Sequence, residues 1–303
     1  MQRFKKILIL IPTRIEQDET FDRAVELARF NQAAMTVVTV MQETPVYGEP
    51  AAEELSSAEP ERQLADRLEQ LIAPTRDSGL QIDAKVLTGV PFIEVIRQVL
   101  KHDYDLVMKT AAGATRQRSA LFGSTALHLM RKCPCPVWIA KPTNHKRYRR
   151  IMAAVDPAVW DATKAGLNTL IMDLATSLAQ REGGELHIVQ AWNPYLERFG
   201  SASRLAADAA AEPEAHRQSL AKLLTRYRNR GSDPRVHLVK GNPEDVILDA
   251  AAKQQIDLIV MGTVGRVGLP GFFIGNTAEE VLQEVDSSVL TVKPYGFETP
   301  VSV

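Results

Sequence analysis

The sequence has little cysteine and no long apolar run. Its only cysteines among 303 residues are Cys133 and Cys135, separated by one proline. So sparse a use excludes a disulfide framework and is typical of the reducing cytoplasm, which is the location that we predict. No apolar run approaches the ~20 residues of a membrane-spanning helix. The run Ile7 to Ile11 is too short for a signal peptide and is followed by Pro12. We therefore interpret it as a first strand and predict no membrane partner.

The sequence also has almost no net charge. It carries 36 Lys and Arg against 37 Asp and Glu, for a formal net charge of -1. This balance gives no global attraction to nucleic acid, so such a partner would need a local basic patch. The run "HKRYRR" at His145 is one such patch with an aromatic residue in it. It coincides with a junction between two halves of the chain, so we favour a solvated linker and predict no nucleic-acid partner.

Those two halves are copies of one another. "VLTGVPFIEVI" around Gly89 matches "LVKGNPEDVIL" around Gly241 at an offset of 241 − 89 = 152. The offset then holds to the end of each half without a gap. Matched Gly and Pro at one fixed offset are hard to obtain by chance, so the sequence indicates a tandem duplication. The matched positions are Gly89/Gly241, Pro91/Pro243, Asp105/Asp257, Gly113/Gly265, Gly123/Gly275, Thr125/Thr277 and Lys141/Lys293.

Each copy alternates strands with helices. Continuous apolar runs such as "KILILI" and "DLIVM" predict strands that are buried on both faces, and leucines at three- and four-residue steps predict helices between them. Such strands form an open parallel sheet covered by helices. Right-handed crossovers and five strands favour the order 3-2-1-4-5. We thus predict two tandem doubly wound, Rossmann-like α/β domains, residues 1–144 and 145–303.

In such a sheet the ligand cleft opens at the carboxyl ends of strands one and four. The segment "MGTVGRVGLPGFFIGNT" follows strand four of the second copy. It places Gly262, Gly265 and Gly275 before a helix that begins near Asn276. Glycines let backbone N–H groups approach an anion, and the helix start adds further N–H groups, so phosphate is the expected guest. The alternative is a crossover loop that needs glycine only for its turns.

An acidic residue lies across that cleft. Asp156 ends strand one of the second copy, where its carboxylate can accept hydrogen bonds from a ribose. A charged hydrogen bond of this kind contributes ~1.5–3 kcal/mol. An Asp-Pro turn that caps the next helix is the alternative role for this residue.

These features together resemble the universal stress protein family, over nearly the whole chain and once in each half. The resemblance rests on the tandem strands and helices, on Gly-x-Pro before the third helix and on G-x2-G-x9-G after the fourth strand. It implies the doubly wound fold. It also implies binding of ATP, with Mg2+ as an accompanying ion, because many members carry this glycine spacing followed by Ser or Thr.

The resemblance assigns site residues mainly to the second copy. There Asn276 stands where the family has Ser or Thr, Thr277 is next to it, and Arg266 adds a cation. Asp156 matches the family's acidic residue after strand one. The residues assigned to the nucleotide site are Ala154, Val155, Asp156, Ala191, Met261, Gly262, Gly265, Arg266, Gly275, Asn276 and Thr277.

The first copy departs from the family pattern. Gly113, Gly123 and Ser124 match, but the first glycine of the spacing is replaced by Thr110. The same distance into strand one gives Pro12, so the acid is missing. We therefore predict a second, weaker site there, degenerate or specific for another ligand.

Other candidates for chemistry are weaker. "CPCP" at Cys133 has no Cys or His cluster beside it in the sequence, so a buried apolar turn is favoured over zinc. His187 and His237 lie on neighbouring predicted strands and can meet, as core or cleft histidines rather than ligands. No nucleophile, base and orienting residue form a set, so no catalytic residue is predicted and slow ATP hydrolysis is the most activity expected.

The leading hypothesis is a cytoplasmic stress-response protein whose second domain binds ATP or a related adenine nucleotide. Its bound state would be read by protein partners that the sequence does not identify. A carrier of an apolar or lipid-like molecule and a scaffold without nucleotide are the alternatives. Because strand five of each copy would otherwise leave an exposed edge, we expect an intramolecular pseudo-dimer, with a homodimer as a further state.

Overall fold

The computed structural model describes residues 4–13, 19–42, 58–111, 122–143, 145–157, 162–193, 213–227, 233–263 and 276–302. These residues form two compact units. The first holds the described residues up to 111, residues 122–142 and the segment 299–302. The second holds the described residues from 143 to 298. None of the helices in these ranges is long and apolar enough to cross a bilayer.

The first unit alternates strands and helices throughout its described residues. Its elements are β1 (Lys6–Leu10), α1 (Glu19–Asn31), β2 (Ala34–Met41), α2 (Ala58–Asp77), β3 (Ile82–Thr88), α3 (Pro91–His102), β4 (Leu106–Thr110), α4 (Gly123–Lys132) and β5 (Val137–Ala140).

The second unit repeats this order. Its elements are β6 (Arg150–Ala154), α5 (Ala162–Glu182), β7 (Glu185–Trp192), α6 (Pro213–Thr225), β8 (Arg235–Lys240), α7 (Pro243–Lys253), β9 (Leu258–Gly262), α8 (Asn276–Glu284) and β10 (Ser288–Val292).

Both units contain a parallel sheet of the predicted order. The first reads β3-β2-β1-β4-β5 and the second β8-β7-β6-β9-β10, which is 3-2-1-4-5 within each unit. The first strand is central in each case, and β1 is buried from Ile7 to Leu10. A strand in this position has helices on both faces, which explains why it is apolar without alternation. The predicted fold class is confirmed.

The repeated Gly-x-Pro turns have a structural cause. Gly89 and Gly241 connect the third strand to the third helix of each unit, with φ of 135° and 158°. A Cβ added at Gly241 would lie 3.0 Å from Val246 Cγ2. Pro91 and Pro243 then occupy the first position of α3 and α7, where a missing N–H removes no helical bond. The turn geometry therefore favours the glycine of each repeat and tolerates the proline.

A second repeated device holds the first strand of each sheet. The carboxylate of Asp105, just before β4, accepts the backbone N–H of Lys5 at 2.6 Å and of Lys6 at 3.0 Å. Asp257, just before β9, accepts the backbone N–H of Arg149 at 2.6 Å and of Arg150 at 2.9 Å. Each acid thus fastens the amino end of the central strand to the strand beside it.

The prediction that "HKRYRR" is a solvated linker is wrong at Tyr148. This side chain is fully buried, and its hydroxyl donates to Ser288 Oγ at 3.0 Å. Its backbone N–H donates to Glu182 Oε2 at 3.3 Å. Gly184 packs against it so closely that a Cβ there would lie 2.7 Å from the Tyr148 carbonyl oxygen. The run therefore enters the core because its one aromatic residue finds a buried hydrogen-bond partner.

Candidate functional site

The residues predicted at the cleft lie on adjacent strands. β6 pairs with β9 in parallel, with Ile151 opposite Leu258. Asp156 follows the end of β6, and Thr263 directly follows β9, so both lie at the same carboxyl edge of the sheet. From this edge β6 connects toward β7 on one side and β9 toward β10 on the other. Right-handed crossovers then place α5 and α8 on opposite faces, which makes this edge the switch point of the sheet.

The backbone of Asp156 is fixed by one buried side chain. Asn168 in α5 accepts the Asp156 N–H through Oδ1 at 2.9 Å and donates from Nδ2 to the Asp156 carbonyl at 2.8 Å. Asn168 is 5% exposed. These two bonds use the peptide groups of Asp156 rather than its carboxylate. Asn168 therefore positions the acid at the edge, a role that the sequence reading missed.

The predicted adenine-lining residues divide between the two faces of the sheet. The register of β6, β7 and β9 places Ala154, Ala191 and Met261 on one face, because paired positions in a parallel sheet share a face and neighbours alternate. Val155 continues β6, with its N–H bonded to the Val189 carbonyl at 3.0 Å, and its side chain is buried. Ala154, Ala191 and Met261 are thus the members that one ligand on one face can contact together.

Gly262 lies on the other face and has a packing role. A Cβ added here would lie 2.8 Å from Leu167 Cδ2 in α5. The absence of a side chain therefore lets α5 approach β9 closely. This contact accounts for the first glycine of the spacing without any ligand.

The structure describes only part of the predicted phosphate loop. Gly265, Arg266 and Gly275 lie outside the described residues. Asn276 is the first residue of α8, so its backbone stands at the helix start, where N–H groups are free of helical partners. The side-chain hydroxyl of Thr277, the next residue, donates to Glu244 Oε2 in α7 at 3.3 Å.

A buried lysine adds a positive charge to this edge. Lys293, directly after β10, is 7% exposed, and its Nζ donates to Thr263 Oγ1. The same ammonium lies 4.8 Å from the centroid of the Phe297 ring. In the sequence, Lys293 is marked only by its match with Lys141 in the repeat. That match indicates duplication but does not show that the lysine lies at this edge.

The corresponding edge of the first unit is different. Because β1 pairs with β4 as β6 pairs with β9, Ile7 is equivalent to Ile151, and Pro12 falls at the position of Asp156. Thr110 stands in place of Gly262, and its hydroxyl donates to Thr20 Oγ1 in α1 at 2.8 Å.

Two of the three residues predicted for the weaker site are described. Gly123 begins α4 with φ of 71°, and the side chain of Ser124 in the first helical turn is exposed. Gly113 lies outside the described residues. Lys141, the equivalent of Lys293, has its Nζ 4.8 Å from the centroid of the Phe122 ring.

The predicted meeting of His187 and His237 is confirmed. Nδ1 of His187 lies 3.1 Å from Nε2 of His237, and the rings stack at 5.3 Å between centroids and 11° between planes. Glu185 Oε2 lies 3.5 Å from Nε2 of His187, and the same carboxylate pairs with Arg235 at 3.1 Å. Burial lowers the pKa of both histidines, with the charge of Arg235 acting in the same direction. Across the described ranges, no group of three or more His, Cys, Asp and Glu is arranged to hold a metal ion.

The fold and this edge define a class: a tandem protein of two doubly wound α/β units, with an acid at the switch point of the second. The family model of the universal stress protein family matches residues 3–141 and again residues 147–293. The chain therefore belongs to the universal stress protein family, and so to the proteins of the stress response.

Several relatives share most of the chain. Universal stress protein E of Escherichia coli strain K12 is 32% identical over 231 residues, covering 75% of this chain and 73% of the relative. The corresponding protein of Salmonella typhi is 33% identical with the same coverage. The universal stress protein E homolog of Haemophilus influenzae is 26% identical over 313 residues, covering 96% of this chain and 98% of the relative.

Solved structures share the fold. A universal stress protein from Pseudomonas aeruginosa UCBPP-PA14 matches with a TM-score of 0.74 at 24% identity, covering 97% of this chain and 94% of that one. A universal stress protein from Archaeoglobus fulgidus matches with a TM-score of 0.62 at 18% identity, covering 94% and 98%.

Proposed function

We propose that the second unit binds ATP or a related adenine nucleotide at the carboxyl edge of its sheet, in the cytoplasm. The observation that carries this proposal is the adjacency of β6 and β9, with Asp156 after one strand and Gly262 and Thr263 at the end of the other. The strand order reverses at this point, and ligands of open α/β sheets bind where it does.

Each part of a nucleotide has a candidate contact at this edge. The face that carries Ala154, Ala191 and Met261 offers small and apolar contacts to a base. The carboxylate of Asp156 is the acceptor for ribose hydroxyls, and Asn168 holds its backbone in place. The phosphates go to the loop after Thr263, with Gly265, Arg266 and Gly275, and to the start of α8.

The charge balance of the edge suits a phosphate. The start of α8 contributes a partial positive charge, worth ~0.3–1 kcal/mol toward an anion nearby. The buried ammonium of Lys293, held on Thr263, adds a full positive charge on the same side of the sheet edge. Mg2+ would accompany the phosphates. The bound state would then be read by protein partners during the stress response.

The test is a thermal melt of the purified chain, stripped of nucleotide, with and without millimolar ATP and Mg2+. A ligand that binds only the folded state stabilises it by ~2.7 kcal/mol at a hundred times its dissociation constant. We expect an upward shift that is lost in Asp156→Ala. We also expect Asp156→Ala and Gly265→Val each to weaken ATP binding at least tenfold, about 1.4 kcal/mol.

Gly113→Val is the matched control, because it makes the same change at the equivalent glycine of the first unit. The variant should leave the ATP affinity of the site in the second unit equal to that of the wild type. Gly262→Val is a poor probe of binding, since its contact with Leu167 disturbs packing first. Unchanged titrations in both Asp156→Ala and Gly265→Val would overturn the site assignment, and no shift in the wild type would favour an apolar ligand or a scaffold.

A further inference from the structure

The turn between α4 and β5 brings both cysteines of the chain together. Sγ of Cys133 lies 3.5 Å from Sγ of Cys135. Cys133 is fully buried at the end of α4, where its backbone N–H donates to the Leu129 carbonyl. Cys135, two residues later, is partly exposed. Of the two cysteines, Cys135 is therefore the one nearer to the surface.

We propose that Cys133 and Cys135 form a reversible dithiol–disulfide site, in which Cys135 reacts with a small-molecule disulfide and Cys133 closes the internal bond. A disulfide joins its sulfurs at about 2.05 Å, so an approach of roughly 1.5 Å separates the two states. Pro134 between them has a fixed φ, which restricts the backbone of the turn. A partly exposed cysteine next to a resolving cysteine is part of the arrangement found in redox-sensing pairs, whose reactive thiol usually also has a low pKa.

The reaction balances with the small-molecule disulfide as the oxidant. The Cys135 thiolate attacks one sulfur of the disulfide, which forms a mixed disulfide and releases one thiolate. The Cys133 thiolate then attacks the Cys135 sulfur and releases the second thiolate. The two protein protons end on the released thiols, and two electrons pass from the cysteines to the oxidant.

The surroundings of the two cysteines determine how fast Cys135 reacts with a disulfide. The hydrogen bond with Cys133, together with burial, raises the pKa of the Cys135 thiol well above its ordinary value. The thiolate is the nucleophile, so only a small fraction of Cys135 is in the reactive form at neutral pH, and the reaction is slow. The pair is therefore suited to a sustained excess of oxidised thiols rather than to rapid removal of an oxidant.

The second unit provides an internal comparison. At the repeat offset, Val285 and Ser287 take the places of the two cysteines, in the turn between α8 and β10. There the Ser287 hydroxyl donates to the Ile256 carbonyl at 2.6 Å. The same turn thus folds without any thiol, so the architecture does not require the cysteines of the first unit.

The experiment uses the full chain and oxidised glutathione as the probe. After incubation, the chain is denatured, its free thiols are alkylated and its intact mass is measured. We expect the wild type to lose two hydrogen atoms and to take up no alkyl group, and we expect reduction to restore both alkylation sites. The rate should rise about tenfold per pH unit below the Cys135 pKa, because the reaction needs the thiolate.

Two variants test the order of attack. Cys133→Ser should accumulate one glutathione on Cys135, because no thiol remains to displace it. Cys135→Ser should stay unmodified under the same conditions, since Cys133 is buried. The proposal is overturned if the wild type keeps a stable mixed disulfide, joins into disulfide-linked dimers or retains two alkylatable thiols. Equal labelling of the two variants would overturn the order of attack. The intact mass of the oxidised wild type tests whether the internal disulfide forms, even if a variant fails to fold.

Discussion

Thr110 and Gly262 occupy equivalent positions at the ends of β4 and β9, and each meets the first helix of its own unit in a different way. Thr110 donates its hydroxyl to Thr20 in α1 at 2.8 Å, whereas Gly262 leaves room for Leu167 of α5. The two copies have therefore diverged, at this position, in how the first helix packs against the sheet. The first glycine of the nucleotide-like spacing belongs to that packing.

We expect Gly262→Val to destabilise the protein by about 1–3 kcal/mol, the usual cost of overpacking. The added side chain would clash with Leu167 Cδ2, so Leu167 or α5 would have to shift. The double variant Gly262→Val with Leu167→Ala removes the clashing atoms and should recover much of the loss. Denaturant unfolding of the wild type, both single variants and the double variant measures this coupling. Additive effects in the double variant would show that the two residues do not contact each other.

Asn168→Ala should destabilise the second unit by about 1–3 kcal/mol, because two hydrogen bonds to the Asp156 peptide groups are lost in a buried place. It should also weaken ATP binding through Asp156, without removing any group that contacts the ligand. Calorimetric titration with ATP and denaturant unfolding measure the two effects. Thr169→Ala on the same helix is the matched control, because the partly exposed Thr169 bonds through its hydroxyl to the Ala165 carbonyl rather than to Asp156, and it should leave ATP affinity unchanged. Full ATP affinity in Asn168→Ala would contradict the positioning role.

The stacked pair His187 and His237 predicts a loss of stability in mild acid. Burial lowers the pKa of both rings below the ordinary 6.5. As the pH falls, the unfolded chain takes up protons before the folded one does. The contribution of the pair is therefore complete above about pH 6.5 and declines as the pH falls toward the lowered folded pKa values.

Unfolding free energies at several pH values between about 8 and 5 measure this decline. His237→Gln removes one ring of the pair and should flatten the curve below about pH 6.5. His128 in the first unit also has a pKa lowered by burial. The variant His128→Gln is therefore needed to measure how much of the acid-dependent loss of stability comes from His128. An acid decline that is unchanged in His237→Gln would assign the effect to other groups.

The paired acids Asp105 and Asp257 should each protect the central strand of their own unit. Replacement by Asn should cost about 1.5 kcal/mol, the low end for hydrogen bonds to a charged group, because both acids are half-buried. Hydrogen exchange locates the effect. Asp105→Asn should lower the protection of β1, and Asp257→Asn should lower that of β6. Equal losses in both strands from either variant would contradict a local role.

The fold could be predicted from the sequence because the repeated residues are ones that these turns and helix starts favour. Gly89 and Gly241 have positive φ, and Pro91 and Pro243 start helices, so each pair marks the same turn twice. The uninterrupted apolar strands then predicted a sheet covered on both faces. Tyr148 was misjudged because five charged or basic neighbours hide one buried ring, and its partner Ser288 lies 140 residues away.

Less of the candidate site than of the fold could be predicted from the sequence. Asp156 and Gly262 follow apolar strands and could be located by counting. Asn168 lies in the interior of a helix, and nothing local shows that its side chain turns back to the end of β6. Lys293 was visible as a repeat match, but its bond to Thr263 depends on the pairing of β9 with β10.

The segment 299–302 has a consequence for how the protein is made. These residues belong to the first unit, and the Ser302 carbonyl accepts Arg97 Nε at 3.3 Å. They leave the ribosome only after the entire second unit has been translated. The first unit can therefore build its sheet early in synthesis, but it acquires this contact last. Nascent chains that stall within the second half would carry a first unit that still lacks this segment.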